Sequence, residues 1–291
     1  MKLFFSFMLS MLILHASDTI VSAQWLEKHL GNSDVKIIEM SDRQSYEFAG
    51  HIPGAVLTSK SDWRQLDGDG ALVHLPVKRL ETMIQKLGID DKDQVVIYAK
   101  GQNLNELLGA HYLFWIFHYL GHTRVSMLDR GWSGWLENNG TISEETPPVG
   151  NGNFIARPLR ALEVSTAELH AIRSFYTVID GRPASHYQGE EKFPANTRYG
   201  RIPGSLSQPW GDYIRNDAIG RLFVDYSRLP PLLRRHTIDP REPLILTCFG
   251  GTGASVDYVL FFHYGYRNIR LHDEGIRKYN AWHLPLVRSE F

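Results

Sequence analysis

The two halves of this chain carry the same ordered series of short signals, and a duplication of that kind leaves few folds open. Val21-Ser22-Ala23-Gln24-Trp25-Leu26 opens the first series and Val164-Ser165-Thr166-Ala167-Glu168-Leu169 opens the second. In each, a serine stands where it can cap a following helix. Apolar runs ending in an acid come next, Val35 to Glu39 and Tyr176 to Asp180, and both read as buried strands. Tyr46 precedes Gly50-His51-Ile52-Pro53-Gly54, and Tyr187 precedes Gly200-Arg201-Ile202-Pro203-Gly204. Val95 to Tyr98 matches Leu244 to Thr247, and aromatic-rich helical stretches then reach Gly121 and Gly265. Asp129-Arg130-Gly131 and Asp273-Glu274-Gly275 close the two series. The unit is too long for a solenoid repeat. Strands alternating with helices predict two α/β domains, each a parallel sheet with helices on both faces. The stretch Asn138 to Leu159, rich in Asn, Gly, Pro and Thr, reads as the connection. The expected division is 17–140, a linker at 141–159, and 160–291.

The first residues stand apart from this pattern. Met1-Lys2 is followed by an apolar run from Leu3 to Leu14, interrupted only by serines, and then by His15-Ala16-Ser17. That order predicts a secretory signal peptide over residues 1–16, with the protein exported, to the periplasm in a bacterium and otherwise secreted. A cut after Ala23 also suits the small-residue rule but would remove Ser22, the expected helix cap. The run is short for a membrane span, so no membrane attachment is expected after cleavage. The net charge of −1 gives no electrostatic case for nucleic acid as a partner.

Cys248 is the single cysteine, so no disulfide forms within the chain. It closes the apolar run Leu244 to Thr247 and precedes Phe249-Gly250-Gly251-Thr252-Gly253, after which Ala254 to Tyr264 reads as a helix. A lone cysteine is most often core. A thiol that only needs burial, however, does not require three glycines directly after it. Those glycines let backbone approach a ligand closely. The N–H groups of the loop and the positive end of the helix dipole are expected to favour the thiolate, the nucleophilic form.

With both halves in view, the chain resembles the tandem-domain rhodanese sulfurtransferases over nearly everything after the leader. The resemblance rests on the paired Gly-His/Arg-Ile-Pro-Gly segments, the paired Asp-x-Gly segments and the cysteine at a strand end in the second copy alone. It implies a catalytic second domain and a first domain that has lost its cysteine, here with Ala99 at the matching position and a longer following loop, Lys100 to Glu106. The implied chemistry is covalent. Cys248 takes the outer sulfur of a donor such as thiosulfate or 3-mercaptopyruvate, becomes a persulfide, and passes the sulfur to cyanide or a thiol, with no metal or organic cofactor. Phe249, Gly250, Gly251, Thr252 and Gly253 are expected to cradle the sulfur with backbone N–H groups, and Thr252 to add its hydroxyl. The resemblance also implies two donor-binding arginines, Arg182 after Asp180-Gly181 and Arg198 before Gly200; Arg201 receives no role.

The loop departs from the family's two patterns. Thiosulfate-preferring relatives carry Cys-Arg-Lys-Gly-Val-Thr and mercaptopyruvate-preferring ones Cys-Gly-Ser-Gly-Val-Thr. This chain has neither the cations nor the serine, and its Phe249 suits a larger or more apolar thiol. Other readings of the cysteine fit less well. A cysteine phosphatase needs an arginine where this chain has Ala254, and none follows until Arg267. A cysteine hydrolase needs a histidine base, and none of the 13 histidines stands in a nucleophile motif. No histidine, cysteine and acid set has metal-ligand spacing. A non-catalytic binding module on the same fold is the alternative of another class. The aromatics on the two equivalent helices read as core packing between helix and sheet, and Trp63 and Trp210 are placed to line a cleft.

Overall fold

The structure, a computed structural model, describes residues 18–228 and 238–289. The expected signal peptide falls outside them. The first half runs β1 (Ile20–Val21), α1 (Ala23–His29), β2 (Val35–Met40), α2 (Arg43–Phe48), β3 (Ala55–Thr58), β4 (Arg64–Leu66), β5 (Leu72–His74), α3 (Val77–Lys86), β6 (Gln94–Ala99), α4 (Leu104–Tyr119), β7 (Val125–Leu128) and α5 (Gly131–Glu137). The second repeats it with α6 (Thr166–Ile172), β8 (Thr177–Asp180), α7 (Ala184–Gln188), β9 (Leu206–Ser207), β10 (Ile214–Asn216), β11 (Leu222–Val224), β12 (Leu244–Thr247), α8 (Thr252–His263), β13 (Ile269–Leu271) and α9 (Gly275–Ala281).

Both main sheets are parallel, in the orders β1-β7-β6-β2-β3 and β13-β12-β8-β9. The continuous apolar character of β6 and β12 follows from burial on both faces. The serine caps are in place: Ser22 Oγ accepts the Trp25 N–H at 3.1 Å, and Ser165 forms a capping box with Glu168. Ile20 and Val21 pair with β7, so these two residues, like the Ser22 cap, belong to the fold. In the second half the Val164 N–H donates to Leu271 O at the equivalent edge, 3.0 Å away.

Helices α4 and α8 are apolar all round and buried on nearly every face, which requires partners on every face. Each covers its own sheet and packs on the other. His118 Nδ1 lies 3.1 Å from Tyr258 Oη, and the Phe114 and Phe262 rings are 6.4 Å apart. One buried cluster therefore runs through both halves, and the aromatics expected to join helix to sheet also join domain to domain. At about 1.5–3 kcal/mol for each large apolar side chain removed from water, this seam holds the halves as one body.

Each half also lends a hairpin to the other. β4–β5 lies over the loop after β12, where Arg64 Nη2 donates to Gly250 O at 2.6 Å. β10–β11 lies over the loop after β6, where the Leu222 N–H donates to Gly101 O at 2.6 Å. The connection between domains has no regular element from Asn138 to Leu159 but is strapped to the first half. Phe154 is buried, and the N–H groups of Gly152, Arg157 and Leu159 donate to Gln85, Leu120 and Tyr119 carbonyls.

Candidate active site

Cys248 follows the last residue of β12, in register with Asp180 at the end of β8. Its side chain is buried. The loop turns at Gly251, where φ is +79°, and runs directly into α8. A Cβ at Gly251 would lie 2.4 Å from Asp273 Oδ1 and 3.0 Å from the Asp273 carbonyl oxygen. A Cβ at Gly275 would lie 2.3 Å from Phe249 O. The glycines thus let the Asp273–Gly275 turn press against the back of the loop. Its front faces the sulfur, with the N–H groups of Ala254, Gly250 and Gly253 directed at the thiol. Burial pushes the thiol up, while these N–H groups and the Arg64 charge pull it down; the net shift is upward. The expected donors are therefore present, with burial working against them. The Thr252 N–H donates to Gly250 O at 3.0 Å. Its side chain stands half-buried at the head of α8.

The two arginines have separate surroundings. Arg182 is buried, with Nε and Nη2 on the Asp180 carboxylate at 2.7–3.2 Å and Nη2 also on Gly200 O at 2.9 Å. Its guanidinium carbon stands 5.7 Å from the centre of the Phe249 ring, which places it beside the loop. In the first half the same post is held by Lys100. Its ammonium is 3.5 Å from Glu39 and donates to Gly50 O. Since this cation recurs where there is no cysteine, part of Arg182's task is to hold the end of the strand. Arg198 gives its guanidinium to Leu284 O and Asn280 O at the end of α9, at 2.9 and 3.0 Å. Arg201 donates to Tyr187 O and Ser289 Oγ. Phe249 meets Phe193 at 4.4 Å and His186 edge-on at 4.9 Å, which gives the loop an aromatic flank. Trp210 packs on the loop, its Nε1 lying 2.3 Å from where a Gly253 Cβ would be. Trp63 is instead buried in the first half and donates to Thr58 Oγ1.

Sequence reasoning missed what the first half contributes. Asp273, wholly buried, accepts from Tyr112 Oη at 2.8 Å, from the His74 N–H at 2.7 Å, and from Arg64 Nη2 at 3.3 Å. Burial pushes its carboxyl up, against the pull of Arg64 and His74. His74 Nε2 is 3.0 Å from Glu163 Oε1; burial disfavours its cation, but Glu163 and Asp273 outweigh it, and its pKa is raised. Ligand-type atoms of His74, Glu163 and Asp273 lie within 4.8 Å of one another. All three already serve this network of hydrogen bonds, which includes the Arg64 cation. His272, directly after β13, bridges Thr166 Oγ1 and Thr247 Oγ1 in the core.

Comparison with known proteins gives the same picture. Residues 22–138 match the rhodanese-like domain family. The 3-mercaptopyruvate sulfurtransferase of Escherichia coli (strain K12) is 27% identical over 278 residues, covering 90% of this chain and 94% of that one. The thiosulfate sulfurtransferase of Corynebacterium glutamicum is 24% identical over 287 residues, covering 94% and 91%. The crystal structure of SseA from Escherichia coli superposes with a TM-score of 0.73 at 22% identity, covering 89% of this chain and 99% of that chain. The first of the two equivalent domains thus matches the rhodanese-like domain family, the fold is that of SseA, and relatives named as sulfurtransferases match along most of the chain.

Proposed function

We propose that the protein is a sulfurtransferase that carries a sulfane sulfur on Cys248. The observation that carries this reading is the thiol at the end of β12 with three backbone N–H groups directed at it. A sulfur anion placed there exchanges water for fixed donors that need no reorganisation. In the first step the Cys248 thiolate attacks the outer sulfur of thiosulfate. The S–S bond to cysteine forms, the bond to the inner sulfur breaks, and sulfite leaves with the electron pair. In the second step cyanide attacks the terminal sulfur of the persulfide, thiocyanate leaves, and the thiolate is restored. With 3-mercaptopyruvate the bond broken is carbon–sulfur, and the enolate takes up the thiol proton to leave as pyruvate. Neither route needs a metal or organic cofactor. A thiol serves as acceptor in place of cyanide by the same displacement.

Donor binding is assigned to the loop Phe249 to Gly253 with Arg182 beside it. Arg198 is the more distant candidate, since its guanidinium already serves the end of α9. Export also belongs to the proposal. It rests on the Leu3–Leu14 run, and the places of Ile20, Val21 and Ser22 in the fold favour a cut before them over one after Ala23. The test is thiocyanate formation from cyanide, with thiosulfate and 3-mercaptopyruvate compared in parallel and Cys248→Ser as control. Turnover lost in Cys248→Ser supports the reading. No turnover with either donor removes both donor assignments and favours the binding-module alternative.

A further inference from the structure

The Cys248 loop, residues 248–253, contains no cationic side chain of its own, yet it is to hold a sulfur anion. We propose that Arg64, carried by the domain without a cysteine, is the cation of this site, a positioning residue that fixes Gly250 and stabilises the anion on Cys248. The inference rests on the sulfurtransferase reading for its purpose, though its geometry is independent of it.

The contacts of Arg64 point the same way. Arg64 is the first residue of β4, and its side chain is 6% exposed. Nη2 donates to Gly250 O at 2.6 Å, and the Gly250 N–H is one of the three directed at the thiol. Nε is buried with no acceptor.

The duplication supplies the internal control. β10–β11 is the counterpart of β4–β5. Ile214 starts it and pairs with Val224, as Arg64 starts the other and pairs with His74. That hairpin covers the loop after Ala99, where there is no sulfur. At the matching hairpin position, the half with a thiol thus meets an arginine and the half without one an isoleucine, although Arg221 beside that second hairpin lies within charge range of Lys100.

The charged and titratable groups around Arg64 are Asp273 at 3.3 Å, Tyr112 under the guanidinium at 4.8 Å, His74 on the partner strand and Lys60 behind it. Asp273 carries the opposite charge and sits against the guanidinium, so its removal is expected to leave more of the Arg64 charge to act on the sulfur. The Arg64 charge acts with the loop N–H groups in pulling the Cys248 pKa down against burial.

The test is the pH dependence of Cys248 alkylation by iodoacetamide in the full chain after cyanide treatment. Wild type, Arg64→Gln, Arg64→Lys and Asp273→Asn are compared, with unfolding midpoints measured alongside. The inflection is expected to rise by about one pH unit in Arg64→Gln, the low end of the effect of one nearby charge. It should rise less in Arg64→Lys and fall in Asp273→Asn, which leaves Arg64 unopposed. A folded Arg64→Gln protein with the wild-type inflection overturns the proposal. If that variant does not fold, an unchanged or raised inflection in Asp273→Asn overturns it. Alkylation requires no sulfur donor, so this result stands apart from the turnover assay.

Discussion

Gly250 and Gly251 are adjacent in sequence, but the structure predicts opposite responses to a methyl group. At Gly251 the backbone has φ +79°, and a Cβ would meet Asp273 Oδ1 at 2.4 Å and the Asp273 Cα and carbonyl oxygen at 3.0 Å. Holding an L-residue at that φ costs about 1–2 kcal/mol. Backbone on the far side cannot swing away as a side chain can, so the overlap adds about 1–3 kcal/mol. Gly251→Ala should therefore lose about 2–5 kcal/mol, a large share of the roughly 5–15 kcal/mol that a folded domain has in hand. At Gly250 a Cβ meets only Arg64 Nη2, at 3.9 Å, and φ is not in the left-handed region. Gly250→Ala should stay within about 0.5 kcal/mol of wild type, as for substitutions that disturb no packing. Urea unfolding of the two variants measures both numbers, and thiocyanate formation reports whether the loop keeps its shape. Should Gly251→Ala unfold within 1 kcal/mol of Gly250→Ala, the tight packing of the loop on the Asp273 turn is refuted.

Three further predictions concern the surrounding groups. Arg182→Gln leaves Asp180 as an unpaired buried carboxylate and should destabilise the second half by about 3–5 kcal/mol, so that its loss of turnover comes with a lower unfolding midpoint; unchanged stability with lost turnover would make Arg182 a donor clamp alone. His74 has a raised pKa in the folded chain. Its contact with Glu163 therefore stabilises in full below its ordinary value and is lost as pH rises through the raised one. Stability measured from about pH 6 to about pH 9 should fall by a component that His74→Gln removes, and an equal slope in that variant contradicts the assignment. Ala99→Cys should not create a second sulfur carrier, because Ile214 and not an arginine starts the hairpin over that loop; two sulfurs bound per chain would contradict this.

Much of the fold is written locally. A serine ahead of a helical pattern, an apolar run ending in an acid, and a strand closing on Cys248 each depend on neighbours in sequence, and the duplication states each one twice. The features that escaped sequence reading are those made across it. Arg64 and Gly250 are 186 positions apart, and nothing near Arg64 marks it out from other arginines. Aromatics all round α4 and α8 announce burial on every face but not what covers the outer one, which proves to be the other helix. Lys100 and Arg182 share a post although one stands after the Ala99 strand and the other after Asp180. Their side chains reach equivalent acids, Glu39 and Asp180, from different strands, so alignment of the halves does not pair them. The thiol's upward shift also needs the structure, because the glycines reveal the N–H groups and not the depth of burial.

The central claim is that Cys248 carries sulfur, and intact-protein mass spectrometry tests it most directly. Full-length protein incubated with thiosulfate or 3-mercaptopyruvate, then freed of donor, should gain the mass of one sulfur atom. The gain should map to Cys248, vanish on adding cyanide as thiocyanate appears, and be absent in Cys248→Ser. A protein that turns over either donor without this added mass, or that gains it in Cys248→Ser, contradicts the account.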